Sequence, residues 1–594
     1  MPVKQDYFKW NGWGFKDSGF EYDKQIGSAR VMGNRYMFGG SPLPALVPYF
    51  AGTLELSPEH TSYGQKDIEI DPPNINKLFV EELGEQNFSR RSFEKWERVM
   101  HSHGADLEAM YQLRNSRLDK YIDMVVYPYT QEHCEILVKL AAKHNVMLVP
   151  MGGGTNVTKA LTIPKNEQRM TVSVDMERMQ SILWVDKENN MACVQAGKPG
   201  RLLERDLAQY GMTTGHEPDS MEFSTVGGWV STRASGMKKN TYGNIEDIIC
   251  NVTIVTPSGT YKKTDLYPRS SNGPDLTNIV MGSEGNMGII TDATFRIRPL
   301  PQKVIYESII LPDFETGIKL MHHVSKNRNI WPTSMRLVDN TQFQFGTTLK
   351  PPSDSKWQDF IDKAKKFFVV NIKGYDPEKL AAVTLAFEGE ASWCDMAHKQ
   401  VLEIAKQYQG MAGGAENGKR GYLLTFLIAY MRDFAMDHCI IAESFETSCP
   451  WNKVSELCRR VDKRLRDDSS RLGFLPTSTW ASFRVTQVYE TGAAVYVYLA
   501  LNFRTFKGDK SKLVELYEEI ENGARDEVMK CGGCISHHHG VGKIRKRFMD
   551  RVMPDMALEW NKKIKETVDP NNIFGINNTF IRSEEERKEI FSHP

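Results

Sequence analysis

The sequence has no surplus of charge of either sign: 75 Lys and Arg stand against 75 Asp and Glu in 594 residues. Nucleic-acid binding draws on a clustered basic surplus, so a dominant nucleic-acid function is excluded. Long apolar runs are missing too. The longest uncharged apolar stretch, residues 422–431, is about half of the ~20 residues that span a bilayer. Cysteine is sparse and odd in number, nine in the whole chain, which excludes a disulfide scaffold. The N-terminus lacks the basic, apolar and small-residue succession of a secretory signal. These absences predict an intracellular protein in a reducing compartment with mostly free thiols. There is no internal repeat and no low-complexity tract. Neither G-x-G-x-x-G nor a Walker lysine is found, so ordinary Rossmann and P-loop sites are unsupported. What is present is the composition of a globular chain, with 25% charged and 40% hydrophobic residues. The length predicts two to four domains at roughly 150 residues each.

The first hundred or so residues read as an attached, loop-rich lobe, in which Trp10-Asn11-Gly12-Trp13-Gly14-Phe15 mixes bulky aromatics with turn formers. Residues 41–50 are apolar, but Pro42, Pro44 and Pro48 argue against a regular helix. They read either as an arm packed on another domain or as a loop touching a membrane. From residue 123 the pattern becomes α/β. A strand at 123–127 precedes a helix that Thr130 can cap, with Ile136, Leu137, Leu140 and Ala141 on one face. The next strand, 146–149, runs into a glycine-rich turn. Further strands are predicted at 171–176, 182–185, 191–195 and 289–298, and a helix at 201–210 with Gly211 as its stop. Pro299-Leu300-Pro301 suggests a boundary. A second α/β domain follows, with strands at 384–389 and 493–503. The expected segments are 1–115, 116–301, 302–520 and 521–594, the last mostly helical.

Gly152-Gly153-Gly154-Thr155-Asn156 follows a predicted strand, so its backbone N–H groups can nest a diphosphate. A Cβ there would block close approach, although three glycines alone equally make an ordinary turn. The pattern strengthens because similar turns recur in the same domain. They are Asp219-Ser220-Met221-Glu222-Phe223-Ser224-Thr225, Thr232-Arg233-Ala234-Ser235 and Gly282-Ser283-Glu284-Gly285-Asn286-Met287-Gly288. Read alone, Arg336 is a surface ion-pair residue. Tyr496 and Tyr498 point to one side of a strand and read as core aromatics. In His537-His538-His539 adjacent rings point apart, so a metal would need a sharply bent loop. Imidazoles there suit acid–base work or phosphate donation. The Cys531-x-x-Cys534-x-x-His537 spacing leaves zinc as an alternative that needs a distant fourth ligand. A redox pair lacks a preceding thioredoxin-like strand. No metal is expected.

In order and spacing, Pro150-Met151-Gly152-Gly153-Gly154-Thr155-Asn156, Ser224-Thr225-Val226-Gly227-Gly228 and Gly282-Ser283-Glu284-Gly285 resemble the vanillyl-alcohol-oxidase-type FAD domain. In that family such turns wrap the diphosphate and the isoalloxazine. Four further segments narrow the likeness: Phe8-Lys9-Trp10-Asn11-Gly12-Trp13-Gly14, Glu443-Ser444-Phe445-Glu446-Thr447-Ser448, Ser536-His537-His538-His539-Gly540-Val541-Gly542-Lys543 and Asp569-Pro570-Asn571-Asn572-Ile573-Phe574-Gly575. Over nearly the whole chain the sequence is similar to the alkyldihydroxyacetonephosphate synthases. The resemblance implies mixed α+β and α/β architecture. A vanillyl-alcohol-oxidase-type FAD domain would carry a second α/β substrate (cap) domain and helical terminal segments.

The implied reaction exchanges the acyl chain of 1-acyl-dihydroxyacetone phosphate for a long-chain fatty alcohol, forming the ether bond of ether lipids. It would run through a covalent adduct at the flavin N5 without net redox. The rival readings are an FAD-dependent hydroxy-acid oxidoreductase of the same fold and a flavin-free lipid-binding protein. By the same resemblance Arg336 is the essential arginine near the flavin, and Tyr496 is the catalytic tyrosine, with Tyr498 one alternation away. Arg432 is the substrate-binding arginine, suited to bidentate phosphate recognition, and the loop of His537, His538 and His539 takes part in activity. FAD is expected to be held non-covalently, because no His or Cys stands in the glycine-rich turn. The expected partners are acyl-dihydroxyacetone phosphate, the fatty alcohol, a membrane surface touched peripherally and a second copy in a homodimer. The family implies a peroxisome or glycosome, on the lumenal side of its membrane. Yet the chain ends in Phe591-Ser592-His593-Pro594 and shows no clear import signal.

Overall fold

The β-α-β pattern after residue 123 folds as its local signals direct. In the computed structural model, which describes residues 4–86, 90–264, 266–352, 371–580, 586 and 590, strand Met124–Val126 lies parallel to Thr171–Asp175. That strand in turn lies parallel to Met147–Met151. Helix Gln131–His144 connects them. The Thr130 hydroxyl oxygen accepts from the His133 N–H at its start, and Asn145 turns left-handed at its end. Cys134, Leu137, Val138, Leu140 and Ala141 form its buried stripe. A second, antiparallel sheet orders its strands Gly259–Tyr261, Ile249–Thr256, Ile289–Arg296, Met191–Gln195 and Ile182–Asp186. The helix expected at 201–210 is Gly200–Ala208, and Gly211 follows it at φ +74°.

These elements belong to one of two units. The first comprises residues 1–12, 65–300 and 538–594, and the second residues 13–64 and 301–537. The C-terminal residues are stitched into the first unit by Asp569. Its carboxylate accepts from the Lys565 ammonium at 2.5 Å and from the Ile573 and Phe574 N–H groups at 2.8 Å each. The Ile573 carbonyl then accepts from the Leu148 N–H, on the strand that leads to the glycine-rich turn.

The second unit is built on a seven-stranded sheet. Its order is Met411–Ala412, Lys303–Leu311, Ala381–Gly389, Ser334–Val338, Thr479–Val488, Gly492–Asn502 and Ile440–Pro450, antiparallel throughout. Helices Phe314–Ser325, Ala391–Gln407, Val454–Arg471 and Leu513–Lys530 pack on the face that carries Leu337. Helix Ala415–Ile428 lies on the opposite face, where a Cβ on Gly421 would stand 2.7 Å from the Thr384 methyl. Residues 13–64 cover one end of that same face, with Phe20, Leu46 and Phe50 packed among Phe345, Trp480, Tyr498 and Ala500.

Three expectations need correction. Residues 1–115 are not one lobe: 13–64 pack on the second unit and 65–115 on the first, a long-range division with no local signal. Nor is 521–594 one segment, since helix Leu513–Lys530 crosses its start and residues 521–537 stay with the second unit. Residues 46–54 do form a helix, Leu46–Leu54. Pro48 sits in its first turn, where no N–H is needed. Leu43, Leu46, Val47 and Phe50 are buried, so the large aliphatic and Phe side chains of this stretch pack against the protein. The Phe591–Pro594 terminus lies outside the described residues.

No helix among the described residues is long and apolar enough to cross a membrane. Asp569→Ala removes the carboxylate beside the buried Lys565 ammonium. The substitution should cost about 3–5 kcal/mol, the usual penalty for breaking a buried pair. The denaturant midpoint of purified protein measures this, and a loss below ~1 kcal/mol would show that Asp569 does not hold the C-terminal segment.

Candidate active site

Pro150 and Met151 close the strand Met147–Met151 opposite Val174 and Asp175, and the chain then turns through Gly152, Gly153 and Gly154. Gly154 adopts φ +69°. A Cβ on Gly153 would fall on the Phe223 carbonyl, and one on Gly152 on the Thr225 hydroxyl. The glycines are thus required first by the direct packing of this turn on residues 219–225. The N–H groups of Gly153, Gly154, Thr155 and Asn156 donate to no protein acceptor among the described residues. These are the N–H groups that the sequence reading assigns to a diphosphate.

The 219–225 turn is closed by Phe223 and Ser224 N–H groups donating to the Ser220 carbonyl, while Glu222 pairs with Arg201 at 2.6 Å. Asp219 precedes it, and Met221 is buried. Thr225 caps helix Val226–Thr232, and Arg233 ends it in the left-handed region at φ +52°. Ala234 follows, and the Ser235 hydroxyl donates to Asn244 Oδ1. The Gly282 and Glu284 N–H groups donate to the carbonyls of Val230 and Ser231, tying the 282–288 turn to this helix. Asn286 Nδ2 donates to the Ser283 carbonyl, Met287 is buried, Gly285 turns at φ +75°, and Gly288 is fitted against the Val255 carbonyl. All the predicted cofactor segments therefore meet in one unit.

Four residues of this unit escape sequence reading. Lys4 Nζ lies 2.5 Å from Asp175 Oδ2 and 3.3 Å from the Gly152 carbonyl, and His101 Nε2 lies 2.6 Å from the same Asp175 oxygen. Burial pushes the Asp175 carboxyl up, but the Lys4 charge and the His101 hydrogen bond outweigh it and hold it below the usual range. His216 is fully buried, edge-on to Trp229 at 4.8 Å, and burial pushes it down to about 3. Both its ring nitrogens lack a hydrogen-bond partner among the described residues. A Cβ on Gly236 would stand 3.4 Å from His216 Nδ1. A buried imidazole without partners among the described residues, in the unit that also carries the open N–H groups of 153–156, fits a large polar cofactor such as FAD.

The histidine segment is gripped by buried carboxylates. Glu284 accepts from the Val541 and Gly542 N–H groups at 2.6 and 2.7 Å. Burial pushes its carboxyl up, and these donors pull it back. Lys543 donates to the Lys159 carbonyl and to Asn578 Oδ1, and burial pushes it down to about 7. His538 and His539 stand edge-on at 4.8 Å. In the second unit, Glu446 accepts from the Ser536 hydroxyl at 2.9 Å and from the His537 N–H at 2.8 Å. His537 Nε2 shares a 2.6 Å hydrogen bond with the Tyr489 hydroxyl. Cys534 is pinned by Thr447, whose hydroxyl donates to the Cys534 carbonyl, and by the Ser448 N–H, which donates to Cys534 Sγ. Among the described residues no group of three or more His, Cys, Asp or Glu is arranged to hold a metal.

Arg336 is buried, not a surface ion-pair residue. Its Nη1 donates to the Thr425 hydroxyl at 2.7 Å, and its guanidinium carbon lies 4.9 Å above the Tyr422 ring. Strand pairing puts Arg336 and Tyr496 on one face: Val338 pairs Arg484, Arg484 pairs Tyr496 and Tyr496 pairs Glu446. Tyr496 and Tyr498 stack at 6.0 Å and 22°. Arg432 stands apart on helix Met431–Asp437, where its Nη1 meets Glu443 Oε2 at 3.0 Å in a largely buried pair. Burial pushes Glu443 up.

Turn geometry and donor nest define a flavoprotein of the FAD-linked oxidase class. The FAD binding domain family matches residues 122–265, and the C-terminal domain of FAD linked oxidases matches residues 300–576. FAD is the cofactor. The chain is 42% identical over 578 residues to an alkyldihydroxyacetonephosphate synthase of Caenorhabditis elegans, covering 96% of both chains. It is 30% identical to one of Dictyostelium discoideum, covering 95% of this chain and 92% of that one. A solved alkyldihydroxyacetonephosphate synthase structure aligns over 96% of this chain and 99% of its own, with a TM-score of 0.82 at 27% identity. A 4-ethylphenol oxidase from Gulosibacter chungangensis shares the fold, with a TM-score of 0.61 at 13% identity over 87% of this chain and 100% of its own. The chain belongs to the alkyldihydroxyacetonephosphate synthase family.

Gly153→Val places a branched side chain on the Phe223 carbonyl and should separate the two turns. Flavin absorbance per mole of purified variant should fall at least about tenfold, since one lost decade corresponds to about 1.4 kcal/mol of binding. Full flavin content would mean that this turn contact does not support the cradle.

Proposed function

We propose that this protein is an alkyldihydroxyacetonephosphate synthase. It would exchange the acyl chain of 1-acyl-dihydroxyacetone phosphate for a long-chain fatty alcohol with no net redox. The observation that carries the reading is the placement of a buried Arg336 and Tyr496 on one face of the second unit's sheet, in a chain of this family. Residues 116–301 supply most of the flavin cradle, 302–520 the substrate groups, and the terminal segments complete both.

When bound and reduced, FAD supplies an electron-rich ring nitrogen, so that a carbon–oxygen bond can be exchanged without an external oxidant. The protein supplies the rest. Tyr496 takes the proton from the substrate's C1 as the fatty acid leaves as carboxylate, and a proton returns to C1 once the alcohol oxygen has bonded there. Arg336, fixed by Thr425, stabilises the anionic character that develops meanwhile. Arg432, whose Nη1 is held by Glu443, binds the phosphate. The histidines take up the alcohol's proton, with His537 oriented by Glu446 and Tyr489. FAD is held non-covalently, so acid precipitation should leave yellow supernatant and a colourless pellet.

The protein works as a homodimer at the lumenal surface of a peroxisomal or glycosomal membrane. A dimer mass in solution and co-sedimentation with liposomes at physiological salt are the expected results. No binding to liposomes would refute the membrane part.

Palmitoyl-dihydroxyacetone phosphate and hexadecanol should yield the alkyl ether and palmitate in equal amounts without an electron acceptor. Tyr496→Phe should keep its flavin and lose a factor of about 10²–10⁴ in turnover, the worth of a positioned acid–base group. Arg336→Lys should also be damaging, because a point charge does not reproduce the guanidinium fork. Near-normal turnover of Tyr496→Phe at full flavin would move the proton role to Tyr498 or the histidines. Bleaching of the flavin by a 2-hydroxy acid, with no ether formed, would establish the oxidoreductase instead.

A further inference from the structure

Two tyrosines in one strand, both pointing to the same face, need a reason to differ from ordinary core aromatics. An isolated phenol has a pKa near 10 and is a poor base at neutral pH. Arg336, the cation the resemblance supplies, is bonded to Thr425 and lies over Tyr422. A second cation stands at the tyrosine pair. Arg484 lies on strand Thr479–Val488, directly opposite Tyr496 in the register. Its Nη2 donates to the Tyr498 hydroxyl oxygen. Its guanidinium carbon lies 5.3 Å from the centroids of both the Tyr496 and the Tyr498 ring. Arg484 is buried, 9% exposed, and so is Tyr496 at 7%.

We propose that Arg484 is the positioning residue of this site, a fixed cation that orients the Tyr496–Tyr498 pair and stabilises its phenolate form. The inference rests on the reading of Tyr496 as the acid–base group. Two physical effects act together. A cation over a ring face is attracted to the ring's π density, and the attraction strengthens as the phenol becomes phenolate. A guanidinium N–H held against the Tyr498 oxygen favours the charged form of that oxygen directly. Stacking of the rings at 6.0 Å brings Tyr496 within the same field.

Neighbouring elements bring other charged and titratable groups to this face. Arg336 is on strand Ser334–Val338 and Glu446 is opposite Tyr496 on strand Ile440–Pro450. Asp339 accepts from the Ser482 hydroxyl, and Tyr422 and Tyr49 stand on the covering helices. The two carboxylates oppose phenolate formation and the arginines favour it. Arg484 donates to the Tyr498 phenol oxygen.

The test uses the flavin-loaded full chain. In wild type, the acidic limb of the pH profile of kcat for acyl-for-alkyl exchange reports deprotonation of the base. Arg484→Gln should move this limb to higher pH by at least one unit, so that turnover at pH 7 falls about tenfold or more and recovers as pH rises. Arg484→Lys, which keeps the charge without the fork, should lie between the two. Tyr498→Phe removes the bonded oxygen but leaves the cation, and should shift the limb less than Arg484→Gln does. A parallel near-ultraviolet titration of tyrosinate absorbance, without substrate, should show the same order of midpoints. Flavin content and thermal midpoint on each sample separate these effects from loss of fold. If Arg484→Gln unfolds, the Lys and Phe variants still decide by their titration midpoints.

An Arg484→Gln profile that is lowered but unshifted, with tyrosinate midpoints unchanged, would overturn the proposal and leave Arg484 as packing alone. If Tyr496→Phe retains turnover, the acid–base reading has failed. If Tyr496→Phe is inactive while the Arg484 variants leave both profiles in place, only the role of Arg484 has failed.

Discussion

Side chains alternate across a β-strand, so strand register decides which groups of the second unit can act together. The pairs Val338/Arg484, Arg484/Tyr496 and Tyr496/Glu446 run straight across four strands. A slip of one residue in strand Gly492–Asn502 would carry Tyr496 and Tyr498 into the layer beneath helices Val454–Arg471 and Leu513–Lys530. It would bring the apolar Val495 and Val497 out in their place. The same slip in strand Thr479–Val488 would push Arg484 into that apolar layer, where an uncompensated charge costs several kcal/mol. The chemistry and the stability of this sheet therefore select the same register. The irregularity between Val485 and Gln487 lies just past Arg484. The pairing that sets the site is undisturbed up to that point, and the bulge absorbs the change where the strand leaves it.

The histidine segment obeys a different constraint. A loop has no ladder to fix it, so its backbone donors need partners of their own. Glu446 serves Ser536 and His537, while Glu284 serves Val541 and Gly542. Both carboxylates hold main-chain N–H groups, which leaves the imidazoles of His538 and His539 out of these anchoring bonds. Burying a carboxylate is unfavourable by itself, and two or more donors per carboxylate offset that cost. Glycine is needed at Gly540 because a Cβ would stand 2.6 Å from the Glu284 carboxylate, and the residue turns at φ +89°. The conformation of the loop is thus written partly in carboxylates that lie far away in sequence.

This distance in sequence explains what could be read without coordinates. The β-α-β unit was legible because its signals are local: the Thr130 cap, the stripe of Leu137 and Ala141, and the glycine turn after a strand. The cofactor turns were legible as a set, although the reason for Gly152 and Gly153 differs from the one the motif suggests. Residues 13–64 gave no sign that they join the second sheet, and Pro48 disguised the helix Leu46–Leu54, since its position within the first turn is invisible before the helix start is known. Lys4, Asp175 and His101 are brought together from three distant segments, and no periodicity could have paired them. His216 looks like any histidine until its burial leaves both nitrogens without partners. Alternation showed that Tyr496 and Tyr498 share a face, but only the register revealed Arg484 against them.

The chain shares its fold with a 4-ethylphenol oxidase at 13% identity over 87% of its length. Fold alone therefore does not choose between oxidation and exchange, and the side chains of the second unit must. An oxidation removes a hydride and needs somewhere for electrons to go. An exchange without net redox needs protons moved at one carbon and transient negative charge tolerated nearby. Two buried guanidiniums, Arg336 and Arg484, set on the same sheet face as two stacked phenols, answer the second requirement. A cation costs several kcal/mol to bury, and this sheet face buries two. On the exchange reading, that cost is offset by the negative charge these cations stabilise beside the tyrosines.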